Sequence, residues 1–298
     1  SFKWISKIQE QNDFDIFWLS FYGFTSDIKN IEKNYFPKTF KGILNCISFI
    51  KDHKDAILHI HSIGFHSKFY LIAAFLGIKN EIISTPWGSD LIFGKESILK
   101  RQLLKFILYR SKLVTCDALF IKNIVNDLVR KIDVYIINFG IDINRFNFIE
   151  RHYKKHQKLK ILSNRSLEEV YNVESIIKSA KILKDKNINF KLNIYADGTL
   201  KQNLQKLVIE LALSDCIEFC GKYTQENLVD ILERHHVYVS MSHSDAGIAS
   251  STAEAMSTGL ICCISDVAEN DYWIKNNITG YLIEDDNHEQ LADKIEEI

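Results

Sequence analysis

Apolar runs of strand length alternate with stretches of helical spacing through the second half of the chain. The runs are LKIL (159–162), FKLNIYA (190–196), CIEFC (216–220), VYVSM (237–241) and LICCI (260–264). Over about 172–186, 199–213, 225–234, 250–258 and 287–298, apolar residues recur every three or four positions, the pattern of a helix with one buried face. Such alternation predicts an α/β fold, a parallel sheet with helices on both sides. The first half repeats the scheme less regularly, with predicted strands at 15–21, 56–62, 81–86, 113–117 and 134–138. Segment 144–158 is polar and basic with weak periodicity, which places a domain boundary near 150 and gives domains 1–150 and 151–298. Two doubly wound domains facing each other would bind ligands in a cleft at the carboxyl ends of their strands.

Composition narrows the partners. The 37 Lys and Arg against 38 Asp and Glu leave a net charge of -1, so no global field draws nucleic acid. By halves the balance is +5 and then -6. Six scattered cysteines make no disulfide framework and the opening residues have no signal-type apolar stretch, so a reducing cytoplasmic compartment is expected. No run approaches the roughly 20 apolar residues of a spanning helix.

The segment VYVSMSHSDAGIASSTAEAMSTGLICCIS (237–265) carries the chemistry. Gly247, Ile248, Ala249, Ser250 and Ser251 open a helix with little side-chain bulk, leaving backbone N–H groups and the positive end of the helix dipole accessible to an anion such as a diphosphate. Glu254, one turn in, can accept hydrogen bonds from the two vicinal hydroxyls of a ribose. A Ser-capped, close-packed helix with a solvated Glu would read the same locally.

This segment resembles the donor-site signature of retaining GT-B glycosyltransferases of family four, the glycosyl transferases group 1. There an acid, seven residues and a Glu run into Ala-Met and a small-x-Gly; Gly247, Glu254, Ala255, Met256 and Gly259 match. The acid's position is held by Ala246, with Asp245 one residue early. The resemblance implies that this acid helps hold the donor sugar, which makes Asp245 the candidate. ILSNRSLEEVYNVESIIKSAK (161–181) looks like the family's first donor-domain strand and helix, and Arg165 matches its diphosphate-neutralising Arg. The Lys that usually follows is replaced in the region of Tyr171 and Asn172. NIYADGTLKQNLQKL (193–207) resembles the family's next turn and helix, and IEFCGKYTQENL (217–228) its base-contacting loop, placing Gly221, Lys222 and Tyr223 at the nucleobase. Segments 57–64, 84–94, 113–118 and 137–146 follow the family's order. They supply His61, Trp87, Gly88, Ser89 and Asp90 as sugar- or acceptor-side candidates, with Trp87 equally readable as a core residue. The chain opens after the family's first strand and Gly-rich loop and stops inside a helix at Ile298, so it reads as trimmed at both ends.

The resemblance implies two Rossmann-like domains in the GT-B arrangement and transfer of a sugar, with retention of configuration, from a nucleotide diphosphate sugar to a glycan, lipid-linked or small-molecule acceptor, as in bacterial-type surface glycan synthesis. It implies neither cofactor nor catalytic metal. His59, His61 and His66 lie close in sequence, but no carboxylate or Cys nearby completes a metal set. A GT-B epimerase or phosphorylase, and a catalytically silent GT-B-shaped binding subunit, are the alternatives. Finally, 94–112 carries Lys95, Lys100, Arg101, Lys105, Arg110 and Lys112 against Glu96, interleaved with apolar residues at roughly helical spacing. The expectation is a helix whose apolar side is consumed by the core and whose cationic side meets the anionic cytoplasmic face of a membrane.

Overall fold

The computed structural model describes residues 15–21, 31–63, 69, 72–73, 76–88, 91, 98–138, 140–151, 157–245 and 247–298. The chain divides into two units, Ser1–Phe139 and Gly140–Ile298. Ser89, Asp90, Lys95, Glu96, His66 and Ala246 lie outside the described residues.

In the first unit the described elements are β1 (Phe17–Ser20), β2 (Glu32–Tyr35), α1 (Phe40–Asp52), β3 (Leu58–His61), β4 (Ile82–Thr85), α2 (Ile98–Arg110), β5 (Leu113–Cys116), α3 (Leu119–Leu128) and β6 (Asp133–Ile136). A parallel sheet runs in the order β3-β4-β5-β6, and β1 pairs with β2 in a separate parallel pair. Thr39 caps α1 by accepting from the Gly42 amide at 3.1 Å, and the helix buries Cys46, Ile47 and Ile50. β2, with the sequence EKNY, has no apolar alternation and was not expected; it is fixed by its register against β1, Phe17 beside Glu32 through Ser20 beside Tyr35.

Helix α2 corrects the expectation that the core uses its whole apolar side. Leu104, Ile107 and Leu108 are buried, whereas Ile98 and Leu99 are 83% and 80% exposed and Phe106 and Tyr109 are also exposed. Three buried positions on successive turns suffice to seat the helix, and its first turn extends past them. Among the described residues, no helix is long and apolar enough to cross a membrane.

The second unit contains β7 (Leu159–Ser163), α4 (Val173–Asp185), β8 (Phe190–Ile194), α5 (Lys201–Glu210), β9 (Ile217–Phe219), α6 (Leu228–Glu233), β10 (Val237–Ser240), α7 (Ser250–Ser257), β11 (Ile261–Ser265), α8 (Asn270–Trp273), β12 (Tyr281–Ile283) and α9 (His288–Glu296). The strands form a parallel sheet in the order β12-β11-β10-β7-β8-β9. Successive strands step outward from β7 to β9, and the chain then returns to the other side of β7 with β10. This is the doubly wound order, with its reversal between β7 and β10. One core lies on each face. Ile161 and Cys263 pack with Ile177, Leu192 and Leu204, while Leu162 and Cys262 pack with Leu228, Tyr238 and Ala255. Period-two alternation in a sheet buried on both sides explains why the adjacent cysteines serve opposite faces.

The second unit begins upstream of the boundary expected at 150. Phe146 is buried in the core face with Leu228, Leu232 and Tyr238, and Arg151 donates to the carbonyls of Leu232, His235, Ile149 and Thr258. A polar, basic segment thus looks like a linker in sequence while one aromatic ring and one guanidinium fasten it to the fold.

Candidate functional site

The carboxyl ends of β7 and β10, where the strand order reverses, bring Arg165 and Asp245 together. Arg165 Nη2 donates to Asp245 Oδ1 at 2.7 Å, with side chains only 12% and 9% exposed. The guanidinium lies 4.5 Å from the Tyr171 ring centroid and its other terminal nitrogen reaches Ser251 Oγ at 3.4 Å. The Tyr171 region, which lacks the second cation of the family pattern, therefore supplies an aromatic face that holds the first. Burial pushes the Asp245 carboxyl up from its ordinary value, opposed by Arg165 and by a hydrogen bond from Asn270.

The loop carrying Arg165 is pinned along its length. The Leu167 amide donates to the Asp197 carbonyl at 3.1 Å, and Glu168 accepts from the Thr199 amide and hydroxyl at 2.9 and 2.5 Å. A Cβ on Gly198 would stand 2.4 Å from the Leu167 carbonyl oxygen, so only glycine permits that approach. The His243 amide donates to Val170 O at 2.9 Å, tying this loop to the one after β10. Asn172 holds φ 43° and ψ 48°, a left-handed conformation that Asn tolerates, and accepts from the Ser175 amide to cap α4. Its amide nitrogen and the Ser175 hydroxyl both donate to Asp286 Oδ1, at 3.0 and 2.6 Å.

Helix α7 starts at the same place. Its N-cap, Ala249, has extended backbone and no side-chain capping hydrogen bond. The first-turn amides therefore receive no help from the cap side chain. Ser251 Oγ accepts from Tyr238 Oη at 2.9 Å, and the fully buried Tyr238 phenol is pushed up to about 12 by burial. One turn on, Glu254 is 4% exposed. It stands near Tyr223, whose hydroxyl is raised first by burial and then by the Glu254 charge, with Arg165 pulling the other way. The site residues drawn from separate segments, Arg165, Tyr171, Tyr223, Asp245, Ser251 and Glu254, thus converge. Gly221 occupies a left-handed turn (φ 77°) just past β9, with Lys222 exposed beside it.

Sequence reasoning passed over Ser163 and Asn164. Both are buried at the end of β7, and Ser163 Oγ, Asn164 Nδ2 and Oδ1, and Arg165 Nε have no hydrogen-bond partner among the described residues. Such groups cost on the order of 1–3 kcal/mol each. The signal was available as two polar residues closing an otherwise apolar central strand.

On the other unit, the rings of His59 and His61 stand 4.2 Å apart and His61 lies 6.1 Å from Trp87, whose neighbour Gly88 is left-handed (φ 85°). His59 Nε2 pairs with Thr85 Oγ1 at 2.7 Å, and burial lowers its pKa. Among the described residues no three His, Cys, Asp or Glu side chains gather as a metal-binding set.

The family model described as glycosyl transferases group 1 matches residues 144–298, just over half of the chain. The chain belongs to the glycosyl transferases group 1. Similar members include the amylovoran biosynthesis glycosyltransferase AmsK of Erwinia amylovora, 27% identical over 164 residues that make up 53% of this chain and 40% of that protein. The N-acetyl-alpha-D-glucosaminyl L-malate synthase of Bacillus anthracis is 27% identical over 250 residues, 80% of this chain and 64% of that protein. The chain thus spans less than two thirds of the length of either relative. Anabaena Alr3699/HepE, solved in complex with UDP-glucose, superimposes with a TM-score of 0.71 at 12% identity, covering 90% of this chain and 76% of that one. For this group 1 glycosyl transferase the fold is therefore GT-B, built from two Rossmann-like α/β units.

Proposed function

We propose that the chain transfers a sugar, with retention of anomeric configuration, from a nucleotide diphosphate sugar to a glycan, lipid-linked or small-molecule acceptor. The observation that carries this reading is the convergence of Arg165, the start of α7 without a side-chain cap, and Glu254 at the strand-order reversal. Breaking the bond between the anomeric carbon and the diphosphate leaves negative charge on the leaving oxygens. Arg165 and the α7 amides meet that charge where it develops, and an acceptor hydroxyl oxygen takes the vacated bond as its proton passes to the departing phosphate oxygen. Asp245 holds Arg165 until the diphosphate replaces it, and its released carboxylate is the candidate contact to the donor sugar. Glu254 binds the ribose, and Gly221, Lys222 and Tyr223 border the base. His61, Trp87 and Gly88 are the acceptor-side candidates among the described residues.

The relatives' names support the class. One acts in amylovoran biosynthesis, one is named for joining a sugar to L-malate, and HepE was solved with UDP-glucose, which favours a uridine nucleotide donor and a role in bacterial surface glycan synthesis. Charge neutralisation by Arg165 and the helix dipole gives a route that needs no metal. The exposed first turn of α2, with Lys100 and Arg101, and the half-buried Lys105 further along the helix suit peripheral docking on an anionic cytoplasmic membrane face.

Calorimetric titration with UDP and UDP-sugars, followed by product analysis, tests the reading. Binding of UDP together with sugar transfer or donor hydrolysis supports it. UDP binding with no turnover would favour the silent binding subunit, a reading that Asp245's hold on Arg165 makes specific.

A further inference from the structure

Three consecutive side chains at the end of β7 carry buried polar atoms without hydrogen-bond partners among the described residues: the Ser163 hydroxyl, both edges of the Asn164 carboxamide and Arg165 Nε, so Asn164 alone presents a separate donor group and acceptor group side by side. This is not a general feature of the unit. Asn172 bridges to Asp286, Asn193 donates to Cys220 Sγ and meets His235, and Asn270 donates to the Ser265 carbonyl. Asn164 is 7% exposed, borders the strand-order reversal and immediately precedes Arg165.

We propose that Asn164 is a specificity-determining residue that reads hydroxyl groups of the donor's sugar, an inference that rests on the donor site assigned above. An orphaned carboxamide lacks a partner both for its N–H groups and for its carbonyl oxygen. Ionised phosphate oxygens only accept, so a diphosphate would leave Oδ1 unsatisfied. A sugar hydroxyl both gives and takes a hydrogen bond, and a vicinal pair meets both edges of the amide. Position agrees with chemistry: Asn164 adjoins the residue assigned to the diphosphate, and the sugar is the hydroxyl-bearing group bonded directly to that diphosphate. The ribose hydroxyls fall to Glu254 on α7. A buried group built to bond a hydroxyl discriminates strongly, because a ligand lacking that hydroxyl leaves it unpaired.

The test uses the full chain with Asn164→Ala and Asn164→Leu, the latter keeping the branched shape while losing the N–H donors and the acceptor and adding no charge beside Arg165. Three quantities are compared with the parent: melting temperature without nucleotide, affinity for UDP, and turnover of UDP-glucose and UDP-N-acetylglucosamine. Asn164→Ala should melt no lower than the parent, because the groups it removes have no partner, and should bind UDP within about twofold. Its turnover of the sugar nucleotide that the parent uses should fall at least about tenfold. Asn164→Leu should also keep UDP affinity within about twofold while losing turnover. Equal losses for UDP and UDP-sugar would make Asn164 a nucleotide contact, and unchanged turnover would leave it no contact at all; either result overturns the inference. Lower melting with parallel losses makes the residue structural and overturns it too. A parent that binds no UDP overturns the donor-site reading itself, and this inference with it.

Discussion

Arg165 and Asp245, eighty positions apart in sequence, are joined by a 2.7 Å ion pair across the reversal between β7 and β10. The cation assigned to the donor diphosphate is thus already matched by a carboxylate of the same unit. Removing one partner of a largely buried pair strands the other's charge. Asp245→Ala should therefore lose on the order of 2–3 kcal/mol of stability. The same change should raise affinity for UDP, because the diphosphate no longer competes with a carboxylate. Melting curves with and without UDP decide it, and weaker UDP binding by the variant would show that Asp245 orients Arg165 rather than neutralising it.

Loss of either donor contact should work in the opposite direction. Arg165→Ala or Glu254→Ala removes a charge-assisted hydrogen bond of about 1.5–3 kcal/mol, a weakening of UDP binding of roughly tenfold or more. Calorimetry on both variants checks this, and unchanged affinity in both would remove the assigned site.

Turnover should survive treatment with EDTA, since Arg165 and the start of α7 are assigned the leaving-group charge. Abolition by the chelator with rescue by magnesium or manganese would place that charge on a metal instead.

Much of the second unit was legible because its central strands are near-continuous apolar runs separated by helices of regular spacing. Motif order was enough to nominate Arg165, Ser251 and Glu254 together, three residues that the fold draws to the ends of β7 and β10. The Asp245 ion pair was not legible, because no local pattern encodes a contact between two distant loops. β2 was invisible, its EKNY sequence having no apolar face, and β12 has only three residues. The end of β7 was missed for another reason: the expected strand stopped at 162, whereas the fold continues it through Ser163 and buries both Ser163 and Asn164.

His235 predicts a pH dependence of stability. It is buried, its Nδ1–H donates to the Ile231 carbonyl at 2.6 Å, and burial leads the effects that lower its pKa. A histidine held neutral contributes stability that is present above its unfolded value of about 6.5 and is lost as pH falls through the lower folded value. Melting temperature should drop on acidification from neutral pH, and His235→Gln should flatten that slope. An identical slope in the variant would assign the effect to other groups.

The exposed turn of α2 changes what salt should do to membrane docking. Lys100, Arg101 and Lys105 should attract anionic vesicles at about 1 kcal/mol per residue near the surface, a contribution that salt weakens. Ile98 and Leu99 add apolar contact that salt does not screen. Co-sedimentation with anionic vesicles should fall in the triple Gln variant and at high salt, and the binding left at high salt should vanish in Ile98→Ser with Leu99→Ser. Equal binding to neutral and anionic vesicles, or none, rejects the docking face.

The grip of Phe146 and Arg151 on the second unit sets where that unit can be separated from the first. A shortened chain starting at 152 would open the pocket that Phe146 fills and deprive the carbonyls of Leu232, His235 and Thr258 of their guanidinium donor. One starting at Gly140 keeps both anchors, so the cut suited to isolating the second unit lies upstream of the basic stretch rather than within it.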